Sequence, residues 1–251
     1  MKKTLSLILI FLFTLSTISA QNNVHLFQNF FRDAIIAPNF YAEGSFEYSK
    51  TEIYDFDWST MTIGVKGGYP INNKIEADAR INFISITPEE GDGESGISDL
   101  LILGKYMIVE TGPNIAVGAK ITAPIGSEDV GQGNLNFGFF GALRHKLADK
   151  IELTGTLGLD FFETTTNDDE GKEDTEYETS LILGAGSIYY LNQKFSIVPE
   201  FMIQTEVDYT MLSCGVDYLI SSKGRLRGYF GLGLDDGAPD MMIGASYFTS
   251  F

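Results

Sequence analysis

The chain has 251 residues, and its 34 Asp and Glu against 17 Lys and Arg give a formal net charge of −17 at pH 7. A chain this acidic repels phosphate backbones and has no basic stripe to hold them, which excludes a nucleic-acid partner. The single cysteine, Cys214, allows no internal disulfide, and with two histidines there is too little Cys and His for a zinc cluster.

Lys2 and Lys3 precede an apolar run from Leu5 to Leu15, after which Ser16 to Ala20 turn small and polar. This predicts a secretory signal peptide over residues 1–20, cut between Ala20 and Gln21. The run is too short for a spanning helix, and no cysteine follows it that could carry a lipid anchor. Residues 21–39 form an N-terminal segment in which Phe27, Phe30, Phe31, Ala34 and Ile35 stand at helical spacing between Leu26 and Ile36, with Pro38 to end the helix. Such a piece either tucks into a lumen as a plug, lies against the periplasmic membrane face, or is a frayed leader.

From residue 40 onward apolar residues alternate with polar or small ones in segments of about ten. Met61, Ile63, Val65, Gly67 and Tyr69 share one face, with Thr60, Thr62, Gly64 and Lys66 on the other. Ile75, Ala77, Ala79, Ile81 and Phe83 repeat the pattern against Glu76, Asp78, Arg80 and Asn82. An opening strand is predicted near Tyr41 to Tyr48. Others follow at Leu100 to Ile108, Ile115 to Ile125, Leu135 to Leu143, Ile151 to Phe161, Thr179 to Leu191, Phe195 to Val207, Leu212 to Ile220, Leu226 to Leu234 and Met241 to Phe251. A soluble antiparallel sheet also alternates, but a long series of such strands with no helix to cover them favours lipid outside and water inside. The fold class is therefore all-β, a transmembrane antiparallel up-and-down β-barrel of about twelve strands over residues 40–251, placed in the cell outer membrane.

The connections support this. Pro70 to Asn73, Thr111 to Asn114, Ala148 to Lys150, Asn192 to Lys194 and Ser221 to Gly224 read as tight turns. Longer or more acidic links, such as Pro88 to Gly96 and Thr164 to Glu176, come between them, as external loops of a barrel do. Aromatics near predicted strand ends, among them Trp58, Tyr69, Tyr106, Phe161, Phe195 and Tyr218, suit interfacial girdles. The terminal Phe251 looks like a signal to the barrel-assembly machinery. Outer-membrane lipid and a small-molecule solute are the other partners expected.

Inward parity selects Glu43, Glu47, Lys66, Glu76, Asp78, Arg80, Lys105, Lys120, Arg144, Glu152, Asp160, Glu200, Glu206, Asp217, Arg225 and Arg227 as lumen-lining candidates. They either line a hydrated path and tune which solutes pass, or pair across a narrow interior and fill it. The acidic residues Asp168, Asp169, Glu170, Glu173, Asp174 and Glu176 offer hard oxygen ligands but no calcium-loop spacing, and read as a solvated external loop. His145 falls on the outer parity near a turn with no Ser and Asp placed to complete a triad, and no phosphate or dinucleotide loop is present. No catalytic residue, metal site or cofactor is assigned, and Cys214 reads as a small lipid-facing hydrophobe.

One stretch carries a resemblance: Ser98-Asp99-Leu100-Leu101-Ile102-Leu103-Gly104-Lys105-Tyr106, then Gly112-Pro113-Asn114, then Lys120-Ile121-Thr122-Ala123-Pro124-Ile125-Gly126, followed by Gly131-Gln132-Gly133, Asn136 and Gly138. It resembles the outer-membrane, transporter-type barrel family described as Putative MetA-pathway of phenol degradation, best over residues 98–162. The resemblance implies a passive channel or transporter for small hydrophobic or aromatic solutes and brings no binding residues with it. The alternatives are a non-conducting structural or surface-binding barrel and an outer-membrane hydrolase.

Overall fold

The computed structural model describes residues 32–53, 56–131, 133–167 and 173–251. The leader predicted over 1–20, the start of the N-terminal segment, and Asp168, Asp169 and Glu170 lie outside the described residues.

The strands are β1 (Tyr41–Ile53), β2 (Phe56–Pro70), β3 (Ile75–Pro88), β4 (Glu94–Ile97), β5 (Leu100–Val109), β6 (Asn114–Ala123), β7 (Asn136–Ala148), β8 (Ile151–Asn167), β9 (Glu173–Tyr190), β10 (Phe195–Gln204), β11 (Tyr209–Leu219), β12 (Gly224–Gly233) and β13 (Met241–Ser250). They form one 13-stranded antiparallel sheet whose first and last strands pair, from Tyr41 opposite Ser250 to Lys50 opposite Met241, so that the wall closes. The four-residue β4 pairs with the upper part of β3, and β5 pairs with the lower part, Ile75 to Arg80. Twelve strands thus circle the barrel, with β4 as an extra piece.

Successive side chains on a strand point to opposite faces, and here the two faces differ sharply in chemistry. Val65, Phe139 and Leu157 are more than half exposed on the outside, at 59%, 55% and 56%. On the inside Glu76 and Glu200 are 1% exposed and Asp217 2%. This polarity is the reverse of a water-soluble domain and is what hydrocarbon outside and a polar interior demand. Among the described residues no helix is long and apolar enough to cross a membrane. The strands reach the length needed, about 9–11 residues when tilted. Rings stack at both ends of the wall: Phe195 on Tyr218 (4.7 Å) and Phe40 on Phe251 (5.2 Å) at the end with the short turns, and Phe137 on Phe161 (4.9 Å) at the other. Of the aromatics expected near strand ends, Phe161, Phe195 and Tyr218 take part in these stacks.

Three inner aromatics lie flat across a glycine directly opposite on the next strand: Tyr41 over Gly68, Phe140 over Gly118 and Tyr229 over Gly244. A Cβ at any of the three glycines would collide with the ring. Such cross-strand pairs fix register.

Four predicted features are corrected. The strand predicted from Phe195 to Val207 stops at Gln204, because Thr205 to Asp208 form a turn with Asp208 in the left-handed region (φ 45°). Glu206 therefore sits exposed on that turn and lines no lumen. The link predicted from Thr164 to Glu176 is largely a hairpin, with β8 and β9 paired out to Asn167 opposite Glu173. β4 occupies the end of the stretch predicted as a loop from Pro88 to Gly96. Finally, the described part of the N-terminal segment, residues 32–39, contains no helix, because barrel-wall side chains hold its backbone.

Candidate functional site

The barrel interior gathers the charged residues chosen by parity, apart from Glu206. Their contacts fall into connected groups. Nearest the end with the short turns, Glu76 on β3 takes an ion pair from Lys105 on β5 (3.2 Å), the hydroxyl of Tyr41 (3.0 Å) and the backbone N–H of Ala37 (2.6 Å). Lys105 Nζ also donates to the carbonyl oxygens of Asp33 (2.9 Å) and Ile35 (2.6 Å). Beside it, Arg144 on β7 donates to the Asp33 carboxylate (2.7 Å), the Tyr190 hydroxyl (3.0 Å) and Glu152 on β8.

These contacts seat residues 33–37 inside the wall. Ala34 packs in a small apolar cluster with Leu103, Ala116, Phe140 and Ala142, and Ala37 packs with Tyr41 and Phe248. Wall side chains satisfy the carbonyl oxygens of Asp33 and Ile35 and the N–H of Ala37, and the Asp33 carboxylate accepts from the Ile35 N–H (3.0 Å), so these backbone groups find partners without a sheet.

Farther up, Lys66 pairs with Glu43 (3.3 Å), Arg227 forks onto Asp217 (2.6 and 2.9 Å), and Lys120 pairs with Asp160 (2.5 Å). Glu47 accepts from the Tyr229 hydroxyl (2.7 Å), and Glu200 accepts from Ser213 (3.5 Å). Arg80 Nε donates to the amide oxygen of Asn82 (2.9 Å), and the Arg225 guanidinium lies 5.6 Å from the centre of the Phe248 ring. Asp78 is buried, and among the described residues its Oδ1 has no hydrogen-bond partner.

A cavity of about 370 Å³ remains above the N-terminal segment, running from Arg32 and Lys66 up to Tyr209 and Pro239. A second space of about 780 Å³ is a groove on the outer face, among Tyr106, Val117, Phe139 and Leu157. It faces lipid, not the lumen.

Reading the sequence for charge missed Arg32, Asp33, Tyr41, Tyr190, Tyr209 and Tyr229. Tyr41 and Tyr229 share the inward parity of Glu43 and Arg227, so a search over all polar side chains finds them. Arg32 and Asp33 lie before the first strand, where parity has no meaning.

A closed antiparallel wall, apolar outside and charged inside, defines an outer-membrane β-barrel. More particularly, the chain belongs to the family described as Putative MetA-pathway of phenol degradation, whose profile matches residues 45–251. In fold the chain is similar to an outer membrane channel from Pseudomonas putida F1, at 14% identity and TM-score 0.74, covering 90% of this chain and 100% of that one. It is also similar to the NanC porin (11%, TM-score 0.54, 84% and 98% covered). The Ralstonia pickettii toluene transporter TbuX gives 8% identity, TM-score 0.52, and coverage of 86% and 90%. No curated protein matches.

Proposed function

We propose that this protein is a passive outer-membrane channel for small hydrophobic or aromatic solutes, working without a cofactor, with residues 32–37 narrowing its lumen as a plug. The observation that carries the reading is the interior itself: a polar cavity of about 370 Å³ inside a closed wall, above a segment that the wall holds by side-chain contacts and not by sheet pairing. A segment held in that way can leave without opening the barrel. The solute class is supported by the family's description and by the toluene transporter among the proteins of similar fold. The charged interior residues act in this reading as a paired scaffold that shapes the path. Phe251, whose N–H donates to the Phe40 carbonyl oxygen (3.0 Å), is the residue proposed to be read by the barrel-assembly machinery.

The test is conductance of the purified protein in planar bilayers. Reproducible steps are expected, and deletion of residues 22–38 is expected to enlarge them. A folded barrel that stays silent in both forms would favour the second reading, a structural barrel that conducts nothing, for which the dense internal pairing speaks.

A further inference from the structure

Among the residues that line it, the internal cavity has more cations than carboxylates. Arg32, Lys66, Arg80 and Arg227 line it against Glu43 and Glu47. Both carboxylates are engaged, Glu43 by Lys66 (3.3 Å) and Glu47 by the Tyr229 hydroxyl (2.7 Å). Arg227 is occupied with Asp217. Arg80 differs from Lys66 and Arg227, because among the described residues it makes no ion pair and its one hydrogen bond goes to the neutral amide of Asn82, while Arg32 enters the cavity from the N-terminal segment and not from the wall. A guanidinium presents five donors in a planar fork that matches a carboxylate, and Nε uses one of them here.

The other side of the space is apolar and aromatic. The rings of Tyr209 and Tyr229 stand on its wall with the thioether of Met242. Aromatic faces and sulfur both favour contact with a ring. The volume lies in the range of small-molecule sites, about 300–1,000 Å³.

We propose that this cavity is a binding station for small aromatic monocarboxylates, with Arg80 receiving the carboxylate and the Tyr209, Tyr229 and Met242 wall receiving the ring. The proposal rests on the channel reading and sharpens it, since a neutral hydrocarbon has no use for Arg80. The cation also explains how so acidic a chain could admit an organic anion: the negative charge is compensated where the solute pauses.

Benzoate and benzyl alcohol, a matched charged and neutral pair, are the probes. Binding is measured by calorimetry on the full-length protein in detergent, with heat-modifiable gel migration to show that each variant is folded. The wild-type protein is expected to prefer benzoate. Arg80→Gln is expected to weaken benzoate about tenfold, the equivalent of one hydrogen bond to a charged group, and to leave benzyl alcohol unchanged. Arg80→Lys recovers part of the loss, and Tyr209→Ala weakens both probes. A wild-type affinity ratio of one or less overturns the proposal without any variant, and so does an Arg80→Gln protein that binds benzoate as before. Benzoate binding by a protein that is silent in bilayers would sink the channel and keep the site, whereas conduction without benzoate binding would do the opposite.

Discussion

Replacing Arg144 by Ala removes the one group that, among the described residues, forms an ion pair with Asp33 and Glu152, whose side chains are 2% and 15% exposed. Breaking a buried ion pair by deleting one partner costs about 3–5 kcal/mol when the remaining charge cannot escape. The two acids differ in that respect. Glu152 is fixed in β8, while Asp33 sits on a segment without sheet pairing and can carry its charge back to water by leaving the lumen. The barrel wall should then lose only about half of that range, roughly 2 kcal/mol, and the N-terminal segment should come out. Urea titration read by gel migration measures the first effect, and single-channel conductance the second. Asp33→Ala should raise conductance as much as Arg144→Ala, and the double variant should add nothing to either. Unchanged conductance in Arg144→Ala, or effects that simply add in the double variant, would show that this ion pair does not hold the segment.

Two further outcomes follow from the wall. Leu157→Arg places a cation on the half-exposed outer face and should cost about 2–4 kcal/mol if that face meets the bilayer midplane, whereas a barrel bathed in water would tolerate it; folding into liposomes at graded urea distinguishes them. Gly118→Val puts a side chain where the Phe140 ring lies, and the overpacking should cost about 1–3 kcal/mol. Adding Phe140→Ala to it should restore part of the loss, measured in the same titration.

The alternation of Met61 to Tyr69 against Thr60 to Lys66 fixes both strand and face, because a period of two leaves only one choice of which side is greasy. That is why the inner acids and bases were legible in advance. Glu206 shows where the rule ends: parity continues on paper past Gln204, but a left-handed Asp208 turns the chain, and a parity count cannot see a backbone angle. The hairpin beyond Thr164 escaped for the opposite reason, since strands rising above the membrane need no apolar face. The run Thr164-Thr165-Thr166, favourable to strands, was the available signal. Nothing local announces that Asp33 meets Arg144, 111 residues away. Contacts of that kind belong to the closed ring and exist only once it has formed.

The seam where Tyr41 faces Ser250 joins the first strand of the wall to the last, far apart along the polypeptide. No sequence of neighbouring hairpins can complete the cylinder until the final strand has been delivered, and every partial sheet before then carries two bare edges open to any other chain. An assembling barrel of this design needs those borders shielded throughout, so its vulnerable period spans the whole of its construction and ends at a single, late event.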